Sequence, residues 1–485
     1  MNVRRRSPIP CALLLILALS PCSFVATDGT IFVSLNFPPD NAALSPAAAS
    51  STGEVRPRYP KSAANRILIR VLAPHIATPI EAWFDRSAGR GEIHGIPPGD
   101  RIVVEVDEYD NTARTLLTNA PLLGRGWAQG ITLSAGEFRE VPITMYDKGT
   151  IVRVCGAAPA SGSGTSGDSG DGGLAVSALL DNPLAVKVGP GDEIFVSSSQ
   201  FNRIRKIDRY GYISHYAGNG PSGTLVDGQP AATAPIGPVY DLDVGPSGDL
   251  YLITWDQQIL KIGGTTGLIS VKYDAQKGSF NPSSKPDLAV AGDDEIYYTN
   301  GMDPKVYLVQ GGSRSDYVWD NGTSSTAEGA LINAYPLLYP ASITFEPSGP
   351  YLYFAERDRG RIKSISMGVG RIYTIAGSSP GTAFYEGIDP VVMILTLPTM
   401  VEGDRLFGNF FIRERDLHRI LIYRPTNSVY SFAGTGAAGY SGDGFAATSA
   451  ALNNPSAVAV DSRGNVYIAD SGNHALRMVI GGALP

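Results

Sequence analysis

Six prolines recur down the C-terminal two-thirds of this 485-residue chain: Pro183, Pro238, Pro286, Pro340, Pro398 and Pro455, at separations of 55, 48, 54, 58 and 57 residues. Each introduces a short strand, "LAVKV", "VYDLDV", "DLAVA", "ASITF", "TMVEG" and "SAVAV". A second strand follows in every case, from "EIFVSS" to "NVYIAD", and then a third, from "NRIRKID" to "ALRMVI". A unit this small cannot cover both faces of its own sheet, so it must pack on its neighbours. Periods of about 40–60 residues with four short strands each define the blades of a β-propeller.

The fourth strand shows how the ring closes. "YISHYAG", "RIYTIAG" and "SVYSFAG" end their repeats, and a matching "TIVRVCG" (residues 150–156) stands before the first repeat. The last repeat ends at "ALRMVI" with only "GGALP" after it. The early strand is therefore expected to complete the final blade, removing the free edges that an open array would expose. This predicts an all-β chain with a six-bladed propeller over residues 149–485.

The best-preserved repeats carry a family resemblance. "GAAGYSGDGFAATSAALNNPSAVAVDSRGNVYIADSGNHALRMV" and "SGDSGDGGLAVSALLDNPLAVKVGPGDEIFVSSSQFNRIRKID" are similar to the NHL repeat almost throughout. The middle repeats have drifted: "TWDQQILKIG" lacks the asparagine of the turn, and the third repeat lacks the Gly-Asp-Gly loop. The resemblance implies a propeller used mostly as a platform for protein, peptide or glycan partners, with some relatives of similar shape being enzymes.

Before the propeller the texture differs. Residues 28–148 alternate in short runs such as "RILIRVLA" and "RIVVEVDEY", which predict antiparallel strands of a small β-sandwich. "GEIHGIPPGDRIVVEVDEYDN" resembles the carboxypeptidase-regulatory-like and transthyretin-like sandwiches of exported bacterial proteins, which implies a spacer or adhesion module. The short junction "MYDKGT" predicts a restrained arrangement of the two modules. At the N-terminus, Arg4, Arg5 and Arg6 precede the apolar run from Ala12 to Leu19, the layout of an export signal over residues 1–26. Two exits are expected: cleavage after Ala26, or lipidation of Cys22 in "LSPC", which resembles a lipoprotein box and would supply a membrane anchor. Cys11 lies in the signal, so Cys155 has no partner in most scenarios and reads as a small buried hydrophobe. A net charge of -7 disfavours a nucleic-acid partner.

Several constellations could carry chemistry. The "SGDG" loops place Asp168, Asp171 and Asp443 where calcium would need more oxygens than they offer, so a tight turn with the aspartate bonded to nearby amides is expected. Six-bladed gluconolactonase-like relatives imply a divalent metal in the central channel, for which Asp241, Asp287 and Glu402 are the candidate ligands, with Asp243 beside them. A zinc site like that of the amidating lyases would need converging histidines, yet His75 and His94 lie in the first module and His215, His418 and His474 lie off the inner strands. Trp255, Tyr297, Tyr298 and Trp319 are the candidate ligand-binding aromatics. The acceptor-like "NGT" at Asn321 matters only in a eukaryotic secretory route. Taken together, these residues predict a monomeric, exported cell-envelope binding protein with a protein or glycan partner and no cofactor, the alternative being a metal-assisted lactone or ester hydrolase using calcium or another divalent ion.

Overall fold

The computed structural model describes residues 29–36, 66–85, 90–110, 121–156, 164–198, 200–274, 286–301, 303–319, 326–345, 349–378, 383–404, 406–424 and 428–484. The export-signal and Cys22 readings and the Asn321 acceptor lie outside these residues. Among the described residues the chain is all-β, with only short 3-10 turns between strands.

Two sheets form the first module. Gly29–Asn36 lies between Arg90–Ile96 and Phe138–Thr144, and the second sheet runs Ile80–Asp85, Arg66–Leu72, Gly99–Tyr109, Leu122–Leu133, Tyr146–Asp147. They share one apolar core, with Ile31, Ile93 and Ile143 from the first sheet packed with Ile69, Val104 and Val106 from the second. One expectation needs correction: Gly29–Asn36 pairs in parallel with Phe138–Thr144, because the intervening strands cross to the other sheet before the chain returns. The "IPPG" turn is one such crossing. Gly99 leaves it against the His75 ring, and an added Cβ would lie 2.3 Å from His75 Cε1.

The rest of the chain forms six antiparallel sheets among the described residues, I to VI, each built on four strands consecutive around the sheet. Their inner strands are Pro183–Val188, Val239–Val244, Asp287–Gly292, Pro340–Phe345, Pro398–Gly403 and Pro455–Val460. Each inner strand touches that of the next sheet, and the sixth touches the first, in a propeller-like arrangement. Apolar clusters fill the gaps between neighbouring sheets, as where Phe195 of sheet I joins Leu242 and Leu252 of sheet II.

The early strand does complete the last sheet. Thr150–Cys155 pairs antiparallel with Ala475–Val479, and Ile480 N donates to Thr150 O at 2.9 Å. Ile151 and Cys155 are fully buried there. Burying an Ile-sized side chain contributes about 1.5–3 kcal/mol, so the closure is held by packing as well as by the ladder.

Asp107 fastens the two modules. It is buried and bonds Arg125 Nε at 2.6 Å, Arg70 Nη1 at 2.7 Å and Arg463 Nη2 at 2.8 Å. Arg463 comes from the turn between the first two strands of sheet VI and also meets Glu105 at 2.6 Å. Arg125 in turn donates to Asn465 at 2.6 Å. Burial alone would raise the Asp107 pKa, but Arg463, Arg125 and Arg70 hold it well below the usual carboxylate range.

Candidate functional site

The inner strands lay their first residues around one cavity, lined among others by Leu184, Tyr240, Asp287, Ala341, Thr399 and Ser456. Period-two alternation then decides which later residues face it. Lys187, Asp241 and Glu402 do, so the candidate metal ligands are brought together, although they come from sheets II, III and V.

What they surround is an ammonium group. Lys187 Nζ lies 2.5 Å from Glu402 Oε1 and 3.7 Å from Asp243 Oδ1, with its side chain 13% exposed. Burial opposes its charge, yet Glu402, Asp243 and Asp241 more than offset this and hold its pKa above the ordinary lysine range. The aspartates are committed elsewhere as well. Asp241 Oδ2 accepts from Leu288 N at 3.1 Å, Asp287 Oδ1 from Ile343 N at 3.0 Å, and Asp243 Oδ2 from Val290 N at 2.8 Å. Ser342 Oγ and Thr344 Oγ1 accept from Val401 N and Gly403 N in the same way. Each of these side chains therefore bonds the inner strand of the next sheet. Burial pushes Asp241 up to about 7, and it pushes Asp287 well above the carboxylate range with the Asp241 charge adding to it.

This arrangement does not suit a divalent metal as it stands. A metal needs several free oxygens converging on one point, whereas here a lysine occupies the convergence and three carboxylates each spend an oxygen on main-chain amides. Among the described residues no group of three or more histidine, cysteine or acidic side chains is placed to hold a metal ion. The histidines are dispersed: His418 Nδ1 and His474 Nδ1 accept from Asn454 N and Asn182 N, both at 3.0 Å, tying neighbouring sheets together.

The candidate aromatics divide. Trp255 stacks on the cavity-lining Tyr240, with ring centroids 5.6 Å apart. Tyr297 and Tyr298 are buried, at 2% and 0% exposure, because both lie on a central strand covered by sheets on either side. They are core residues and not a binding face. Trp319 follows the outer strand of sheet III, away from the cavity, where its main-chain N–H donates to Ile332 O. Tyr240 itself went unnoticed in the sequence, where it is one more alternating residue; its position directly after Val239, at the start of an inner strand, is the signal that could have found it.

The "SGDG" aspartates bind side chains more than amides. Asp171 accepts from Arg205 Nη2 and Asp443 from Arg477 Nη2, each at 2.8 Å, and both arginines are buried. The same arginines donate to loop carbonyls, Leu179 O and Ala451 O. Each loop is a structural clamp on one sheet-to-sheet connection, Asp171 between sheets VI and I and Asp443 between sheets V and VI. Cys155 is buried and free, and burial pushes its thiol up to about 12, as fits a small hydrophobe.

Residues 452–477 match the family model of the NHL repeat. That segment runs from Leu452 through the inner and second strands of sheet VI to the clamping Arg477. Over 226 residues the chain is 24% identical to the Arabidopsis thaliana protein SUPPRESSOR OF QUENCHING 1, chloroplastic, a match covering 44% of this chain and 20% of that protein. The chain thus spans about a fifth of the length of the curated relative it matches. Among solved structures it is similar to a Bacteroides thetaiotaomicron VPI-5482 protein of unknown function, with a TM-score of 0.51 and 12% identity, covering 85% of this chain and 90% of that one. It is also similar to an auxiliary nutrient binding protein of the same organism, with a TM-score of 0.49 and 15% identity over 84% and 90% of the two chains. The first of these shows a shared fold. The class defined by sheets, repeat and likeness is that of propeller-like proteins carrying an NHL repeat.

Proposed function

We propose that residues 149–485 form a six-bladed propeller closed by its first strand, mounted on a small β-sandwich, and that the chain is an exported, monomeric cell-envelope binding protein for a glycan. The observation that carries this reading is the stacked Tyr240–Trp255 pair at the edge of a cavity lined by Asp241 and Asp287. An aromatic face suits the C–H surface of a sugar ring, and buried carboxylates beside it accept hydroxyl hydrogen bonds. Further large side chains, Phe201 and Tyr339, are exposed in turns that topology places on the same side, where inner strands begin. The docked first module meets sheet VI through the opposite turns, at Arg463 and Asn465. The basic and apolar N-terminal run supports export, and Cys22 supports a lipid anchor.

The metal-assisted hydrolase is not adopted, because Lys187 holds the point where its metal would have to sit. The test is a titration of tryptophan fluorescence with oligosaccharide fragments of bacterial envelope polysaccharides. Saturable quenching that weakens tenfold or more in Trp255→Ala, and is unchanged in Trp319→Ala, is the expected result. Unaltered binding by Trp255→Ala would sink the site, and binding only to envelope proteins would replace the glycan with a protein partner.

A further inference from the structure

Two carboxyl groups of the cavity sit together. Asp287 is the first residue of the inner strand of sheet III, and Asp241 stands on the adjoining inner strand of sheet II. Asp241 Oδ2 accepts from Leu288 N at 3.1 Å, and that amide belongs to the residue after Asp287, so the two carboxyls lie side by side in the cavity wall. Asp287 is held through Oδ1 by Ile343 N, and among the described residues its Oδ2 accepts no hydrogen bond. From sheet V the Thr399 hydroxyl lines the same cavity, buried and with no hydrogen-bond partner among the described residues, a polar group left for a ligand to satisfy. Tyr240, next to Asp241 in the chain, stacks on Trp255 at the cavity edge. We infer that Asp241 and Asp287 are the nucleophile and the general acid and base of a glycoside hydrolase, cutting the glycan that the Tyr240 and Trp255 edge holds. The inference rests on the glycan reading and adds a reaction to it.

Such a reaction needs one carboxyl that keeps its proton beside one that has lost it. Burial holds Asp287 protonated, and the Asp241 charge beside it adds to this. Burial also pushes Asp241 up to about 7, with the Lys187 charge opposing, so near neutral pH a substantial share of Asp241 is ionised. Glu402, Lys187, Tyr240 and Arg413 are the other titratable groups lining the cavity, and Lys187 already pairs with Glu402. Adjacent carboxyls suit a double displacement. Asp287 gives its proton to the glycosidic oxygen as the bond from that oxygen to the anomeric carbon breaks, while an Asp241 oxygen bonds the carbon. The freed alcohol leaves. Asp287, now a carboxylate, takes a proton from water, and the water oxygen bonds the anomeric carbon and displaces Asp241. One glycoside and one water become one reducing sugar and one alcohol, and both carboxyls return to their starting states. The main-chain amides of Leu288 and Ile343 hold the pair in place through both halves.

The experiment incubates the full chain with the oligosaccharide fragments of the fluorescence titration and follows new reducing ends by chromatography. Fragments that quench the fluorescence should be cut. Asp241→Asn and Asp287→Asn keep an oxygen for the main-chain amides, so each should bind the fragments within about threefold of the unaltered affinity yet turn them over about a thousandfold more slowly. A second reading needs no variant and so survives a failure of either to fold. For the unaltered chain, kcat/KM should rise with pH through about 7 as Asp241 ionises and fall at higher pH as Asp287 loses its proton. Fragments that bind and stay intact would overturn this inference and leave the glycan site standing, whereas no binding by any fragment would remove both. Cleavage undiminished in both variants, or a flat pH profile, would place the chemistry on other groups and overturn it as well.

Discussion

At the scale of single residues, the glycine that follows the fourth strand in sheets I, IV, V and VI shows how tightly one position can be constrained. Gly156, Gly218, Gly377 and Gly434 have φ of +93°, +93°, +90° and +99°. A Cβ there would lie 2.3, 2.2, 2.0 and 2.4 Å from the carbonyl oxygens of His474, Asn202, Gly360 and His418. These oxygens belong to the turns between second and third strands, so the glycine lets the chain leave one sheet against the turn of that sheet. The preceding residue, Cys155 or an alanine, is buried in each case and has no room to grow. Gly434→Ala is expected to cost about 2–4 kcal/mol, from backbone strain plus the clash with His418 O. Gly444→Ala, at a similar φ of +85° but with nothing within 4 Å, should cost only about 1–2 kcal/mol. Urea unfolding of the two variants checks this, and equal losses would show that the close approach is unimportant.

At the scale of elements, the inner strands are joined by side-chain acceptors in addition to packing. Asp241, Asp287, Ser342 and Thr344 repeat one device, a short polar side chain accepting an amide from the next sheet. Its acidic versions make stability depend on pH. The Asp241 carboxyl titrates near 3.8 when unfolded and near 7 when folded, so the native state holds a proton there that the unfolded chain has already released. The stabilisation is present below pH 4 and is lost as pH rises through 7, and Asp287 shifts in the same direction. The melting temperature should therefore fall between pH 5 and pH 8, and the fall should shrink in Asp241→Asn/Asp287→Asn, which keeps both acceptors without the charges. Scanning calorimetry across that range reads the slope, and an unchanged slope in the double variant would show that other groups set it.

At the scale of the whole molecule, the Asp107 cluster is expected to make the two modules behave as one body. Three arginines share this buried carboxylate, two from its own module and Arg463 from sheet VI. Trp127 and Tyr146 pack beside them against the core between sheets I and VI. Arg463→Met leaves Asp107 with Arg70 and Arg125, so the first module should still fold, while coupling between modules weakens by about 3 kcal/mol. Calorimetry should then resolve two transitions in place of one, with a broader spread of module separations in small-angle scattering. A single transition at the original temperature would assign the coupling to the apolar contacts.

Much of this was legible in the residues. Proline-led strands, the period between them and the displaced "TIVRVCG" sufficed to predict the sheets and the strand that completes the last one, because hydrophobic alternation and turn chemistry are local properties. The convergence of Asp241, Asp287 and Glu402 could be anticipated from their place on inner strands. That they converge on Lys187 could not, since the lysine lies 215 residues from Glu402 and only closure of the ring brings their side chains together. The same holds for Arg205 and Arg477, which claim the "SGDG" aspartates from 34 residues away, and for Tyr297 and Tyr298, whose burial depends on the sheets packed over them. Within the repeats, strand identity and order belong to the sequence alone, while the parallel pairing of Gly29–Asn36 with Phe138–Thr144 and the partner of each charge belong to the tertiary structure, because a side chain's period along its strand is set locally while what it faces is set by elements distant in the chain.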